Sequence, residues 1–220
     1  TTALLAMTGC GSIDAEAITT HACTMVTDTG SVVVGSGQPG DPAAPEPASG
    51  FRLGKTAVTA RNVLVATANP LASKAGCDVL KQGGSAVDAA IAVQMVLNLV
   101  EPQSSGIGGG AFMLYLDKAT SNILAYDGRE TAPSAATPDM FMGANGKPLG
   151  FTAAVDGGLS VGTPGLLRML EAAHQAHGKL PWADLFAPAI ALAESGFAVS
   201  ERMSMSIAGS AARIKAQGEP

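Results

Sequence analysis

Apolar residues recur with helical spacing in two consecutive segments of the chain. Leu71, Ala75 and Val79 share one stripe, and an Asn-Pro pair before them and Gly83 after them predict where the first helix begins and ends. A second helix is predicted over residues 85–100, where a Ser-x-x-Asp sequence resembles a capping box. Because this second segment is apolar on nearly every face, we expect the helix to be buried on all sides.

Two short apolar runs then predict a β-hairpin. Ala111–Leu116 and Ile123–Tyr126 have the composition of strands, and the polar segment Asp117–Asn122 between them is typical of a connecting turn. The first run has six consecutive apolar residues, so we expect it to be a buried strand.

A glycine-rich loop, Ser104–Gly110, comes directly before the first predicted strand. Its four glycines permit backbone angles and close approaches that a Cβ atom would block. A phosphate-binding glycine loop opens a helix, whereas this loop opens a strand, which argues against a nucleotide site. Two interpretations stay open: a shaped crossing between a buried helix and a buried strand, or glycines that serve only tight packing.

Two further helices follow the hairpin, so the pattern predicts a mixed α/β fold. One helix extends from Pro164 to Gly178 and the other from Pro181 to Gly196. The positions predicted to be buried are Leu166, Leu167, Leu170 and Ala173 in the first and Leu185, Phe186, Ala189, Ile190 and Leu192 in the second. The periodic pattern fades beyond Ser204.

The residues before the first helix have a different character. Residues 1–10 resemble the end of a secretory signal, in which an apolar stretch and small residues lead to Cys10. This arrangement resembles a bacterial lipoprotein cleavage site, where the cysteine becomes the lipidated N-terminus; the alternative is an ordinary tail of small residues with a chance cysteine. We expect residues 1–10 to be a signal remnant, residues 11–60 a flexible Pro/Gly-rich linker and residues 61–220 the folded part.

Composition and charge narrow the classes of partner. Hydrophobic residues make up 47% of the 220 residues and charged residues only 14%, a composition that argues against a disordered chain. The net charge is −5 without a basic cluster, so nucleic acid is not an expected partner. The longest apolar stretch, Ala89–Val100, is too short to span a bilayer.

The three cysteines, Cys10, Cys23 and Cys77, show no metal-binding spacing. A disulfide between Cys23 and Cys77 is compatible with a lipidated Cys10, although nothing in the spacing supports it. The helical pattern around Cys77 indicates a small core residue.

Arg129 is the strongest candidate for chemistry. It follows the second predicted strand, and a guanidinium at a strand end can bind a carboxylate through two parallel hydrogen bonds. The alternative is a salt bridge to Asp127, Glu130 or another acidic residue.

Other candidates have simpler explanations. Glu171, His174 and His177 form a Glu-x-x-His-x-x-His pattern, but positions six apart do not share a helix face, so we expect solvent-side residues and no metal. Trp182 at a helix start is expected to anchor the core. Ser104 and Ser105 have no adjacent base, and we expect them to cap loop backbone. No nucleophile with its base and no cofactor is indicated.

Five segments, taken in order, resemble one enzyme family, the gamma-glutamyltransferases (gamma-glutamyl transpeptidases, glutathione hydrolases). The resemblance extends from Val65 to Val199. The matching segments are residues 78–93, 101–113, 127–133, 157–165 and 177–182, the last continuing to 195–197. One departure is Gly128, which stands where many relatives carry a bulkier residue.

The resemblance implies an N-terminal nucleophile hydrolase with a four-layer αββα sandwich, of which this chain holds only the first part of the large subunit. Enzymes of this family are made as an inactive precursor that cuts itself into a large and a small subunit. The new N-terminal threonine of the small subunit then attacks the gamma-glutamyl amide, with its own amine as the base. That threonine and the oxyanion loop lie outside this sequence, so we expect no catalytic residue here and no activity from these residues alone. Arg129 corresponds to the arginine that binds the α-carboxylate of the glutamyl group, and the glycines would shape the strand entry beside the pocket.

The implied function is gamma-glutamyl transfer or hydrolysis on glutathione and related compounds, without a cofactor, in a secreted or periplasmic protein that Cys10 could anchor to a membrane. Two alternatives stay open. One is a related acylase that acts on cephalosporin, glutaryl or gamma-polyglutamate compounds. The other is a non-enzymatic surface lipoprotein that binds solutes.

Overall fold

The structure, a computed structural model that describes residues 59–216, contains α-helices and one antiparallel hairpin. The helices are α1 (Pro70–Lys81), α2 (Ala86–Val100), α3 (Phe151–Val155), α4 (Leu166–His177), α5 (Ala187–Ser195) and α6 (Glu201–Ala216). Strands β1 (Phe112–Asp117) and β2 (Asn122–Asp127) form the hairpin, and two 3₁₀ turns cover Gly158–Ser160 and Trp182–Phe186. The predicted mixed α/β class is confirmed for this part of the chain.

Side-chain caps set the starts of α1 and α2 where the sequence predicts them. The Asn69 side chain accepts a hydrogen bond from the Leu71 amide at 3.0 Å. Ser85 and Asp88 form a reciprocal capping box, in which each side chain accepts from the other residue's amide. Gly76 lets the two helices approach closely, because a Cβ atom there would lie 2.6 Å from Val93 Cγ2.

Helix α2 lies at the centre of the described fold. Every residue of it except Ala86 is buried or half-buried, which confirms the prediction of a helix covered on all sides. Helix α4 and the turn Trp182–Phe186 pack against it and complete the main core. The largest fully buried apolar side chains are Ile91, Leu166, Leu185, Val87, Val96 and Val100.

The hairpin has one covered face and one open face. Leu114 pairs with Ala125 and Tyr115 with Leu124, so alternate residues of β1 point to opposite sides. Met113, Tyr115 and Tyr126 pack against the core, whereas the opposite face is exposed. Phe112, Leu114, Leu116 and Ile123 on that face are between 61% and 75% exposed. The expectation of a fully buried first strand is therefore wrong for residues 59–216, because helices cover only one side of these strands.

The segment after Pro181 also differs from the single predicted helix. It begins as the 3₁₀ turn Trp182–Phe186 and continues as α5 only from Ala187. Pro188 explains the division, since proline lacks the N–H that a continuous α-helix would need at this point. Ile190, predicted to be buried, is 53% exposed, and Leu167 of α4 is likewise exposed; the other predicted positions are buried or half-buried.

Two helices, α3 and α6, were not predicted. Helix α6 has no buried residue, which explains why its sequence shows no clear apolar stripe. Within residues 59–216, no helix combines the length and the apolar character needed to cross a bilayer. Cys10, Cys23 and residues 1–10, together with nearly all of the predicted linker 11–60, lie outside the described residues.

Candidate substrate-binding site

Arg129 lies directly after β2 and projects from the end of the hairpin. Its backbone N–H donates to Asp127 Oδ1 at 2.9 Å, which fixes the chain as it leaves the strand. The guanidinium Nη1 atom is 3.2 Å from Glu130 Oε2, so the predicted alternative of a salt bridge to Glu130 is present. The Arg129 side chain is nevertheless 59% exposed. The guanidinium therefore has a partner and still faces open space, where it can bind a second anion.

Gly128 allows the start of α4 to pack onto the end of β2. A Cβ atom at Gly128 would lie 2.6 Å from Met169 Cβ and 3.1 Å from the Gly165 carbonyl oxygen. The Gly128 amide and carbonyl both hydrogen-bond Ala111, which continues the strand pairing by one step. This departure from the family pattern thus has a local explanation: α4 approaches so closely that a side chain has no room.

The glycine-rich loop lies against the Glu130 carboxylate. A Cβ atom at Gly110 would lie 2.6 Å from Glu130 Oε2, and one at Gly109 would lie 3.4 Å from Oε1. Glu130 is half-buried, but its Oε2 atom is fully buried and accepts no hydrogen bond within the described residues. The ion pair with Arg129 is then the main compensation for burying this charge. The sequence analysis considered Glu130 only as an alternative salt-bridge partner of Arg129. Its contact with the glycine-rich loop shows that Glu130 is also part of the site.

A polar cavity of about 390 Å³ opens beside Arg129 and Glu130. The glycine-rich loop forms one wall, and Gln94 of α2 contributes to another. A second cavity, of about 320 Å³, lies between Arg129 and the start of α4. The first cavity brings a cation, an anion and neutral polar groups together, which suits a small polar ligand.

Ser104 and Ser105 make side-chain contacts rather than the predicted backbone caps. The Ser105 hydroxyl accepts from Gln94 Nε2 at 2.6 Å and donates to Asn98 Oδ1 at 2.8 Å. The Ser104 hydroxyl accepts from Arg202 Nη2 at 2.8 Å. The prediction is wrong because polar residues of α2 and α6, which the sequence pattern does not connect to the loop, lie beside it.

The two histidines of α4 are not solvent-side residues, as was predicted. His177 stacks on Tyr115 with ring centroids 4.0 Å apart, and its Nε2 atom is 2.8 Å from the Tyr126 hydroxyl. His174 Nε2 lies 2.9 Å from the Leu180 carbonyl oxygen, to which it can only donate. Both rings are half-buried because α4 packs against the hairpin on one side and α2 on the other. Within residues 59–216, no group of three potential metal ligands occurs.

Trp182 is a core anchor, as predicted. Its indole is half-buried and packs edge-on against His174 and Phe186, with ring centroids 5.3 Å and 5.0 Å apart. The side chain therefore helps to hold the 3₁₀ turn against α4.

Asp88 is a buried carboxylate that joins α2 to the segment after α4. Burial alone would raise its pKa, but hydrogen bonds from the amides of Ser85, Lys179 and Leu180 together hold the pKa below its usual value. His174 Nε2 lies 3.6 Å from its other oxygen. The sequence indicated only the capping role of this residue.

Cys77 is buried, as the predicted core role requires, but it is also disulfide-bonded. The predicted core role is confirmed, and the disulfide adds to it a bond that the sequence analysis left open but that the cysteine spacing did not favour.

Comparisons with known proteins place the chain in the family that its motifs resemble. The family model described as gamma-glutamyltranspeptidase matches residues 72–219. A glutathione hydrolase proenzyme of Bacillus subtilis (strain 168) is 44% identical over 164 residues, which is 74% of this chain and 28% of that protein. The chain thus spans about a quarter of the length of the curated relatives it matches.

Solved structures are similar as well. Gamma-glutamyltranspeptidase from Pseudomonas nitroreducens, complexed with L-DON, is 33% identical with a TM-score of 0.67 and covers 72% of this chain and 47% of that one. A cephalosporin acylase from Bacillus halodurans is 31% identical with a TM-score of 0.55, over 68% of this chain and 27% of that one. The described residues therefore form part of the fold that these enzymes share.

Proposed function

Because the chain belongs to the gamma-glutamyltranspeptidase family, we propose that its protein transfers or hydrolyses the gamma-glutamyl group of glutathione-like compounds. These residues would form the first part of the large subunit of a precursor, and several of the relatives are named as proenzymes. Family membership favours this function over the non-enzymatic solute-binding alternative.

Arg129 is the residue that would bind substrate, through the α-carboxylate of the glutamyl group. The observation that carries this role is an accessible guanidinium at the rim of a polar cavity of about 390 Å³, held by a neighbouring carboxylate. A planar guanidinium can offer a carboxylate two parallel N–H donors while it retains its contact with Glu130. Because the same wall carries the Glu130 carboxylate, the cavity also suits the ammonium group of a zwitterionic amino acid.

The bond-breaking step would belong to a small subunit of the same precursor. Its N-terminal threonine hydroxyl would attack the gamma-carbonyl carbon, and the amine of that residue would take the proton. The C–N bond then breaks, the leaving amine takes a proton, and a gamma-glutamyl ester remains on the threonine. Water or an acceptor amine would release the glutamyl group, so the residues of this chain would bind and orient the substrate.

The expected domain organisation and localisation remain part of this proposal. Residues 1–10 would be a signal remnant, 11–60 a linker and 61–220 the enzyme part, with Cys10 as a lipid anchor. The disulfide at Cys77 supports a secreted or periplasmic location, because disulfides persist mainly in oxidising compartments. Mass spectrometry of the protein from membranes tests the anchor: a diacylglyceryl group on Cys10 is expected, and an unmodified thiol would contradict it.

A substrate comparison on the full-length, processed protein tests the activity. We expect release of glutamate from glutathione and faster cleavage of gamma-glutamyl than of glutaryl p-nitroanilide. The likeness to a cephalosporin acylase favours the acylase as second candidate, and a preference for the glutaryl compound would establish that candidate instead. If the processed protein cleaves neither amide, both candidate functions are wrong.

A further inference from the structure

A largely buried ion pair between Arg202 and Glu101 lies next to the start of the glycine-rich loop. Arg202 Nη1 is 2.9 Å from Glu101 Oε2, and the two side chains are only 12% and 5% exposed. Arg202 stands in the first turn of α6, and Glu101 is the C-terminal cap of α2. Two charges removed from water in this way require both each other and further hydrogen bonds.

The Glu101 carboxylate has those further bonds. Its Oε1 atom accepts from Asn69 Nδ2 at 3.2 Å, and its Oε2 atom accepts from Gln103 Nε2 at 2.6 Å. Asn69 is the residue that caps α1. One carboxylate thus joins the start of α1, the end of α2 and the start of α6.

Arg202 also reaches the loop itself. Its Nη2 atom donates to the Ser104 hydroxyl at 2.8 Å, and the adjacent Ser105 is held by Gln94 and Asn98 of α2. Ser104 and Ser105 begin the loop whose last glycines contact the Glu130 carboxylate. A continuous series of contacts therefore runs from α6 through the loop to Glu130, the partner of Arg129.

We propose that Arg202 is a positioning residue for the substrate site: it fixes the Ser104 end of the loop, and the loop holds Glu130 and thereby the Arg129 guanidinium. This inference rests on the proposed function for its kinetic consequence. The loop has few side chains of its own to lock it, because four of its seven residues are glycine. The Arg202–Ser104 hydrogen bond is a second anchor, next to the hydrogen bonds among Gln94, Asn98 and Ser105, and it gives the cavity wall one defined position.

The first test is kinetic and uses the full-length, processed protein with gamma-glutamyl-p-nitroanilide. Ser104→Ala removes one hydrogen bond and leaves the ion pair intact, and we expect KM to rise about three- to tenfold with kcat within about twofold. Arg202→Met should raise KM further than Ser104→Ala does, and Arg202→Lys should raise KM less than Arg202→Met. The control is Arg213→Ala, which removes a different ion pair of α6, the one to Asp156. Because Arg213 lies near the opposite end of α6 from Arg202, this change should leave KM unchanged.

The second test does not depend on activity. Hydrogen exchange of the loop amides 104–110 should be at least about tenfold faster in Ser104→Ala than in the wild type, while the amides of α2 keep their protection. Unchanged exchange in the loop would overturn the positioning role whether or not the protein turns over substrate. Faster exchange with no cleavage by the wild type would overturn the proposed function and the kinetic consequence, and would leave the loop anchor supported.

Discussion

At the scale of single residues, small side chains and one glutamate determine where the Arg129 guanidinium lies. Gly128 lets α4 approach the strand end, and Gly110 makes room for the Glu130 carboxylate that contacts Arg129. The residues next to Arg129 therefore place and orient its guanidinium: Gly128 acts sterically and Glu130 electrostatically.

Replacing Arg129 should weaken substrate binding. Arg129→Ala in the full-length protein removes the cation that would pair with the α-carboxylate, and KM for gamma-glutamyl-p-nitroanilide should rise about tenfold or more. Arg129→Lys keeps the charge but loses the two-pronged geometry, so an intermediate KM is expected. A KM within twofold of wild type in the alanine variant would remove Arg129 from the site.

Gly128→Ala should destabilise the protein because its new methyl group would contact Met169 at 2.6 Å. Overpacking of this kind costs about 1–3 kcal/mol, which thermal denaturation reports as a Tm lower by several degrees. Gly106→Ala is the matched control, since a Cβ atom there meets nothing within 4 Å and should leave Tm nearly unchanged. Equal Tm values for the two variants would show that α4 can move to accommodate the methyl group without a loss of stability.

At the scale of elements, buried polar groups join helices that the apolar pattern treats as independent. Asp88 holds the start of α2 against the segment after α4, and Glu101 holds the end of α2 against α1 and α6. The sequence predicted the caps and the burial of α2, because these depend on neighbours along the chain. It did not predict the exposed Ile190, helix α6 or the serine contacts, because those depend on which distant element lies nearby.

The Asp88 contacts should make stability depend on pH at acidic values. Because the folded state lowers the pKa of Asp88, its ionised form stabilises the fold above the unfolded pKa near 3.8, and this contribution is lost as pH falls through the lower, folded pKa. We expect Asp88→Asn to have a lower Tm than the wild type at pH 6 and the difference to shrink below pH 4. A difference that stays constant down to pH 2.5 would mean that the carboxylate charge contributes nothing.

The exposed face of the hairpin should be a covered face in the complete enzyme. Leu114 is 75% exposed in residues 59–216, and the αββα sandwich expected from the family would place a second sheet on it. Leu114→Lys should therefore impair folding or self-cleavage of the full-length precursor. The isolated 220 residues should aggregate without the substitution, and Leu114→Lys should make them more soluble. Thr120→Lys in the exposed turn is the control; normal processing of Leu114→Lys would contradict this account.

At the scale of the whole molecule, the sequence revealed the family more completely than the geometry. The ordered motifs identified the family and singled out Arg129, and the mixed fold followed from the hydrophobic pattern. The cavity beside Arg129 could not be predicted, because its walls come from residues as distant along the chain as Gln94 and Glu130. A disulfide of Cys77 was left open but not favoured for the same reason: sequence spacing does not report spatial proximity.

The most direct measurement compares three amide substrates in the wild type and in Arg129→Ala. The 4-aminobutanoyl p-nitroanilide lacks the α-carboxylate of the gamma-glutamyl compound, and the glutaryl p-nitroanilide keeps a carboxylate but lacks the ammonium group. If Arg129 binds the α-carboxylate, wild-type kcat/KM should favour gamma-glutamyl over 4-aminobutanoyl by about 30-fold, equivalent to about 2 kcal/mol, and Arg129→Ala should lose most of this preference. The substitution should also slow the glutaryl substrate and spare the 4-aminobutanoyl one. An equal preference in both proteins would contradict the central claim.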